Sequence, residues 1–136
     1  MNIRRNFLLL TFLLLSAIML HAQKHPGRPE IEKDTIPEQD SIEYELIVID
    51  PGYETFLATQ KPASFFTQVY YETWNYRYVI EWNMRHDNPI AYGDMYETKI
   101  DYDPKTDYGL DLNYRLYYYF RFFEEKNGIS LVAGHH

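Results

Sequence analysis

Apolar positions follow three patterns along this chain, and each predicts a different element. Phe7 to Leu20 is apolar except at Thr11 and Ser16, with no amphipathic period and short of the ~20 residues a membrane span requires. Arg4 and Arg5 precede it and the small Ala22 stands before Gln23, so 1–22 has the basic, apolar, small-residue order of a cleaved signal peptide. Leu46 to Ile49 is a short apolar run entered by alternation from Tyr44 and closed by Pro51-Gly52, the pattern of a largely buried strand ending in a turn. The third pattern is helical. Spacing over Phe65 to Met84 predicts a long helix that begins near Pro62-Ala63-Ser64 and stops before Asp87-Asn88-Pro89, because Pro89 disfavours helical geometry in the residue before it.

A second helix is predicted from Leu110 to Lys126, with Asp107 at or near its N-cap, Asp111 in the first turn and Asn127-Gly128 as its stop. Leu112, Leu116, Phe120 and Phe123 form its expected buried stripe, while Tyr118 and Phe122 point away with Arg115 and Lys126. Tyr96 to Asp101 reads as a short extended segment, and Ile129 to Val132 as a last strand beside the first. The predicted fold class is therefore α+β, with two main helices packed on a small sheet formed by the first and last strands. The order of parts is signal peptide 1–22, disordered linker 23–41, one domain 42–132 and a tail 133–136. The linker assignment rests on a stretch rich in Pro, Glu, Asp and Lys with few large apolar residues.

Charge and cysteine usage narrow the function classes. Residues 42–131 carry fifteen acidic and eight basic side chains, so no basic face is available for nucleic acid or anionic lipid. With no cysteine in the chain, there is no disulfide, thiolate metal site, cysteine nucleophile or lipid-modified anchor. A soluble exported product, periplasmic or secreted and without a stable membrane span after signal removal, is the expectation. The very short n-region and strongly apolar h-region favour general secretion over the twin-arginine route that Arg4-Arg5 touches.

On a helical wheel the long helix has two apolar sides. Phe65, Val69, Tyr76 and Ile80 share one; Tyr70, Trp74, Tyr78 and Trp82 recur at every fourth residue on nearly the opposite one. The plainer reading packs this aromatic row under the other helix or the N-terminal arm. Uncovered, the row would be a set of flat amphipathic rings suited to stacking on a glycan or a protein, with Arg77 or Arg85 for polar contacts. Tyr70, Trp74, Tyr78, Trp82, Arg77 and Arg85 are thus the candidate binding surface. Asn83 and Asn113 flank core stripes and are expected to hydrogen-bond across elements.

Catalytic and metal constellations are thin. Asp101, Asp103, Asp107 and Asp111 cluster, but Lys105 and Thr106 occupy the fifth and sixth places where a standard calcium loop needs a ligand and a glycine. Turn formation and helix capping are the expected roles. His86 is the single histidine of 42–131 and is expected to cap the long helix. Ser64 reads as a helix start rather than a nucleophile. Carboxylates such as Glu72 and Glu81 could supply a glycosidase pair, although nothing selects them. No catalytic residue, metal ligand or cofactor is assigned.

Tyr44 through Tyr53, the segment Tyr78 to Asn83, and the run from Ile100 through Asp107-Tyr108-Gly109 to Asn113-Tyr114 and Tyr119-Phe120 together resemble an uncharacterised family of short exported bacterial proteins, a domain of unknown function. The resemblance implies export without a mechanism. Many members look like lipoproteins with a cysteine after the signal, which this chain lacks. The expected function is a non-catalytic binding or structural role in the cell envelope, with an envelope protein or a glycan as partner. A small carboxylate-dependent hydrolase of envelope glycans and a calcium-stabilised structural protein are the alternatives.

Overall fold

The computed structural model describes residues 29–35 and 42–135. Two antiparallel strands, β1 (Pro29–Thr35) and β2 (Ile42–Val48), pair from Pro29 opposite Val48 to Thr35 opposite Ile42. Strand alternation puts Tyr44, Leu46 and Val48 on one face, where Leu46 is buried and the other two pack against the core, joined by Ile31 from β1. The fold class is α+β as expected, but the sheet is built differently. β2 pairs with a segment of the expected linker, not with Ile129–Val132. The polar composition that made 29–35 look disordered suits the open edge of a two-stranded sheet, where charge discourages further pairing. Ile129–Val132 is not a strand: the amide of Leu131 donates to the Glu124 carboxylate at 2.7 Å, and Leu131 and Val132 are buried as individual plugs. The expected signal peptide and the remainder of the linker lie outside the described residues.

Four helices follow: α1 (Tyr53–Leu57), α2 (Gln68–His86), α3 (Pro89–Tyr92) and α4 (Gly109–Asn127). The stretch at Ala63–Phe65 is a separate 3₁₀ turn, so α2 begins later than its sequence signal. Thr67 is its N-cap, accepting from the amide of Tyr70 at 3.2 Å. At α4, Asp107 accepts from the amide of Gly109 at 3.0 Å, Asp111 stands in the first turn, and Gly128 closes the helix at φ 63°. Both ends of α4 match the sequence reading. Tyr96–Asp101 forms no regular element.

The hydrophobic core is centred on α4, and this corrects its expected one-sided stripe. Tyr118 and Phe122 are buried along with Leu112, Leu116, Phe120 and Phe123. A helix apolar all round is an interior helix; here α1 covers the far side, with Phe122 against Tyr53 and Phe56 at centroid distances of 5.8 and 5.4 Å. α2 covers the near side and runs in the same direction as α4. Tyr71 meets Tyr114 and Tyr117, Tyr78 stacks on Phe120 at 4.8 Å, and Trp82 meets Phe123 at 4.8 Å.

Parallel helices need a return path, and residues 87–108 supply it along one side of the pair. Trp82 Nε1 donates to the carbonyl of Thr98 at 2.8 Å. Asn83 grips Ile100 twice, its amide nitrogen donating to the carbonyl at 3.0 Å and its oxygen accepting from the amide at 2.9 Å. Asn113 accepts from Asn75 and from the Tyr102 hydroxyl and donates to the Gly109 carbonyl. Both asparagines therefore cross-link elements as their edge positions suggested. Replacing Asn83 with alanine is expected to lower stability by about 1–2 kcal/mol, because two backbone groups of Ile100 lose their partner. Denaturant unfolding checks it, and a change under about 0.3 kcal/mol would mean that water replaces the clamp.

Candidate binding site

The segment C-terminal to α4 packs back onto the α2–α4 pair. Gly128 turns the chain back, Leu131 and Val132 sink into the core, and His135 is delivered onto the aromatic row of α2. Its ring stacks on Trp74 at 3.6 Å and 21°. Tyr117 and Tyr78 stand edge-on to it at 5.6 and 6.0 Å, and the Tyr117 hydroxyl lies 2.8 Å from Nε2. Arg121 Nη1 donates to the His135 carbonyl at 2.9 Å. The guanidinium of Arg77 lies 4.6 Å from the Trp74 ring, a cation–π contact.

One buried carboxylate organises this box. Glu124 takes the Leu131 amide on Oε1; Oε2 takes Arg121 Nη1 at 2.9 Å and the Tyr78 hydroxyl at 3.2 Å. Both oxygens are committed, so Glu124 fixes α2, α4 and the C-terminal segment to one another. Burial pushes the hydroxyl pKa values of Tyr78 and Tyr117 well above the ordinary tyrosine range. Beside the box a cavity of about 390 Å³ opens, walled by Phe56 and Tyr118 and edged by Gln60, Arg121, Glu125 and His135. Rings with a few convergent polar groups are a binding geometry.

The sequence-derived surface is divided by the fold. Tyr70 and Trp74 are half-buried at the box and Arg77 is exposed next to it. Tyr78 and Trp82 are core residues, at 0% and 2% exposure, because α4 lies on their side of α2, so for these two the plainer packing reading describes the structure. Arg85 faces elsewhere. It bonds to Glu81, the Tyr96 hydroxyl and the Ser130 carbonyl, strapping down both flanking segments. Tyr117, Arg121, Glu124 and His135 were not singled out from the sequence, although Arg121 and Glu124, three apart within an otherwise aromatic stretch of α4, were a usable signal.

The other candidates take structural positions. Asp103 accepts from the Lys105 amide and the Thr106 hydroxyl, and Asp107 from Gly109 and Gln68, so Asp103 holds a turn and Asp107 the backbone that enters α4. The amide bond and the Gln68 contact hold the Asp107 carboxyl below its usual pKa. His86 Nδ1 lies 2.6 Å from the Tyr96 carbonyl, a tie to the connection rather than a helix cap. Glu72 and Glu81 each accept from a neighbour on their own helix. Among the described residues no group of three or more potential ligands converges as a metal site, and no helix is long and apolar enough to cross a membrane.

Neither a curated protein nor a solved structure matches the chain. A family model does match, over residues 6–134 and so over nearly the whole sequence. The chain belongs to this family, described as a family of unknown function (DUF6146).

Proposed function

We propose that this is an exported cell-envelope protein with a non-catalytic binding role, and that its site is the box of Tyr70, Trp74, Tyr117 and Arg121 with the adjoining cavity. The observation that carries the reading is the seating of His135. A planar ring lies flat on Trp74 while Arg121 holds the carbonyl of the same residue. The box thus accepts a ring and a backbone acceptor together, which favours a protein segment over a glycan as ligand. His135 is then the occupant that a partner displaces. Export rests on the basic, apolar, small-residue order of 1–22.

Tryptophan accessibility tests the site, since the chain has only Trp74 and Trp82 and Trp82 is core. Acrylamide should quench Trp74 weakly in the native protein and clearly better in His135→Ala, with the far-ultraviolet dichroism unchanged. Adding a peptide with the sequence of residues 129–135 to that variant should restore the shielding, and Trp74→Ala should abolish the accessible fraction. If His135→Ala leaves quenching unchanged, or if the peptide fails to shield Trp74, the box is a packing feature and the binding role fails.

A further inference from the structure

The side of α2 that faces away from α4, the other apolar side of the helical wheel, is open. Val69, Tyr76 and Ile80 are 68%, 45% and 52% exposed, with Phe65 and Met84 partly exposed at either end. Thr73 lies between them and gives its hydroxyl to the Val69 carbonyl at 2.7 Å, so it presents a methyl group rather than an unpaired donor. Val69, Thr73, Tyr76 and Ile80 follow at spacings of four, three and four, the seam period by which one helix packs alongside another. Single exposed apolar residues are ordinary, but a seam of them on one helix is the signature of an interface.

We infer that this face pairs with the same face of a second copy, α2 against α2 in parallel and in register. Charge placement selects that occupant. Glu72 and Arg77 flank the seam on opposite sides, one residue before Thr73 and one after Tyr76, the positions whose charges meet across a parallel helix pair. In register, Glu72 of each copy faces Arg77 of the other, giving two matched pairs. An antiparallel arrangement brings like flanks together and forfeits both. Among the described residues Arg77 makes no ion pair, its one contact of note being the Trp74 ring, so its charge is available. The open apolar side chains amount to roughly 500 Å² per copy, or about 1,000 Å² for the pair, at the lower limit of specific interfaces. Association should therefore be weak and concentration-dependent, with a dissociation constant on the order of 10–100 µM.

Sedimentation equilibrium of the purified protein, with dichroism to establish folding, tests this. Ile80→Glu should raise the dissociation constant at least tenfold while leaving Trp74 quenching unchanged, which separates this face from the box. Glu72→Arg and Arg77→Glu should each weaken the dimer, and the two together should restore it, since the swap rebuilds both pairs. The chain has no cysteine, so Val69→Cys provides a clean probe of direction. Its position away from the middle of the seam lets two copies form a disulfide under mild oxidation only when the helices are parallel and in register. A monomer at every concentration, a dimer indifferent to Ile80→Glu, failure of the charge-swapped pair, or no Val69→Cys cross-link would each overturn the inference.

Discussion

Raising the pH above about 10 is expected to unfold this protein in one cooperative step that is complete near pH 12, with most of the tyrosinate absorbance appearing in that step. Nine of the fourteen tyrosines are buried. Burial pushes the hydroxyls of Tyr53, Tyr78, Tyr102, Tyr117 and Tyr119 far above their ordinary value and that of Tyr118 up to about 12. The direction comes from proton linkage. A tyrosine that holds its proton more tightly in the folded chain contributes stability fully below the unfolded pKa of about 10, and loses it as pH rises towards the folded value. Each such group forfeits about 1.4 kcal/mol per pH unit above 10, so these six lose about 8 kcal/mol by pH 11, comparable to the whole stability of a small domain. Dichroism and tyrosinate absorbance followed together would decide the matter, and a gradual titration of all tyrosines near pH 10 with unchanged dichroism would refute it. Tyr118→Phe removes one linked proton and should move the midpoint upward.

How far the sequence was legible depended on whether the governing signal was local. Both ends of α4 are written in residues that act within one turn, Asp107 through its carboxylate and Gly128 through its positive φ, so they could be read directly. Asn83 and Asn113 were legible for a related reason: an amide at the edge of an apolar stripe has few ways to be satisfied except across elements. The exposed side of α2 was not legible. Its two faces are similarly apolar, and the choice was made by α4, which selected the aromatics whose polar tips find partners, Trp82 on Thr98 and Tyr78 on Glu124. Val69 and Ile80, which carry no polar tip to satisfy, were left outside. Strand pairing failed for the same non-local reason. Nothing within Pro29–Thr35 announces its partner, because an edge strand carries the polar composition of a linker. The box was half legible: Trp74 and Tyr70 stood out by spacing, whereas His135 reaches them only because Gly128 reverses the chain and Glu124 secures the Leu131 amide beyond the turn.

Removing that anchor is the second large effect expected. Glu124→Ala should destabilise the protein by about 3–5 kcal/mol, the range for taking one partner from a buried, hydrogen-bonded ion pair. Three groups lose an acceptor at once: the Leu131 amide, the Tyr78 hydroxyl and Arg121 Nη1, which keeps the His135 carbonyl. The Tyr78 hydroxyl and the Leu131 amide lie too deep for water to replace the carboxylate freely. Glu124→Gln separates charge from shape. Its amide oxygen can still accept, so the loss should be smaller, about 1–2 kcal/mol, arising mainly from a partly buried guanidinium without its counter-ion. The two variants should also differ at the box. In Glu124→Ala the hold on Leu131 is gone and Arg121 is free to turn away from the His135 carbonyl, so acrylamide should quench Trp74 as strongly as in His135→Ala under conditions where the variant remains folded; Glu124→Gln should stay close to the native protein. Denaturant unfolding and quenching on the same samples measure both quantities. Equal stability losses in the two variants, or a large loss in Glu124→Ala with Trp74 still shielded, would show that Glu124 supports the core without governing access to the box.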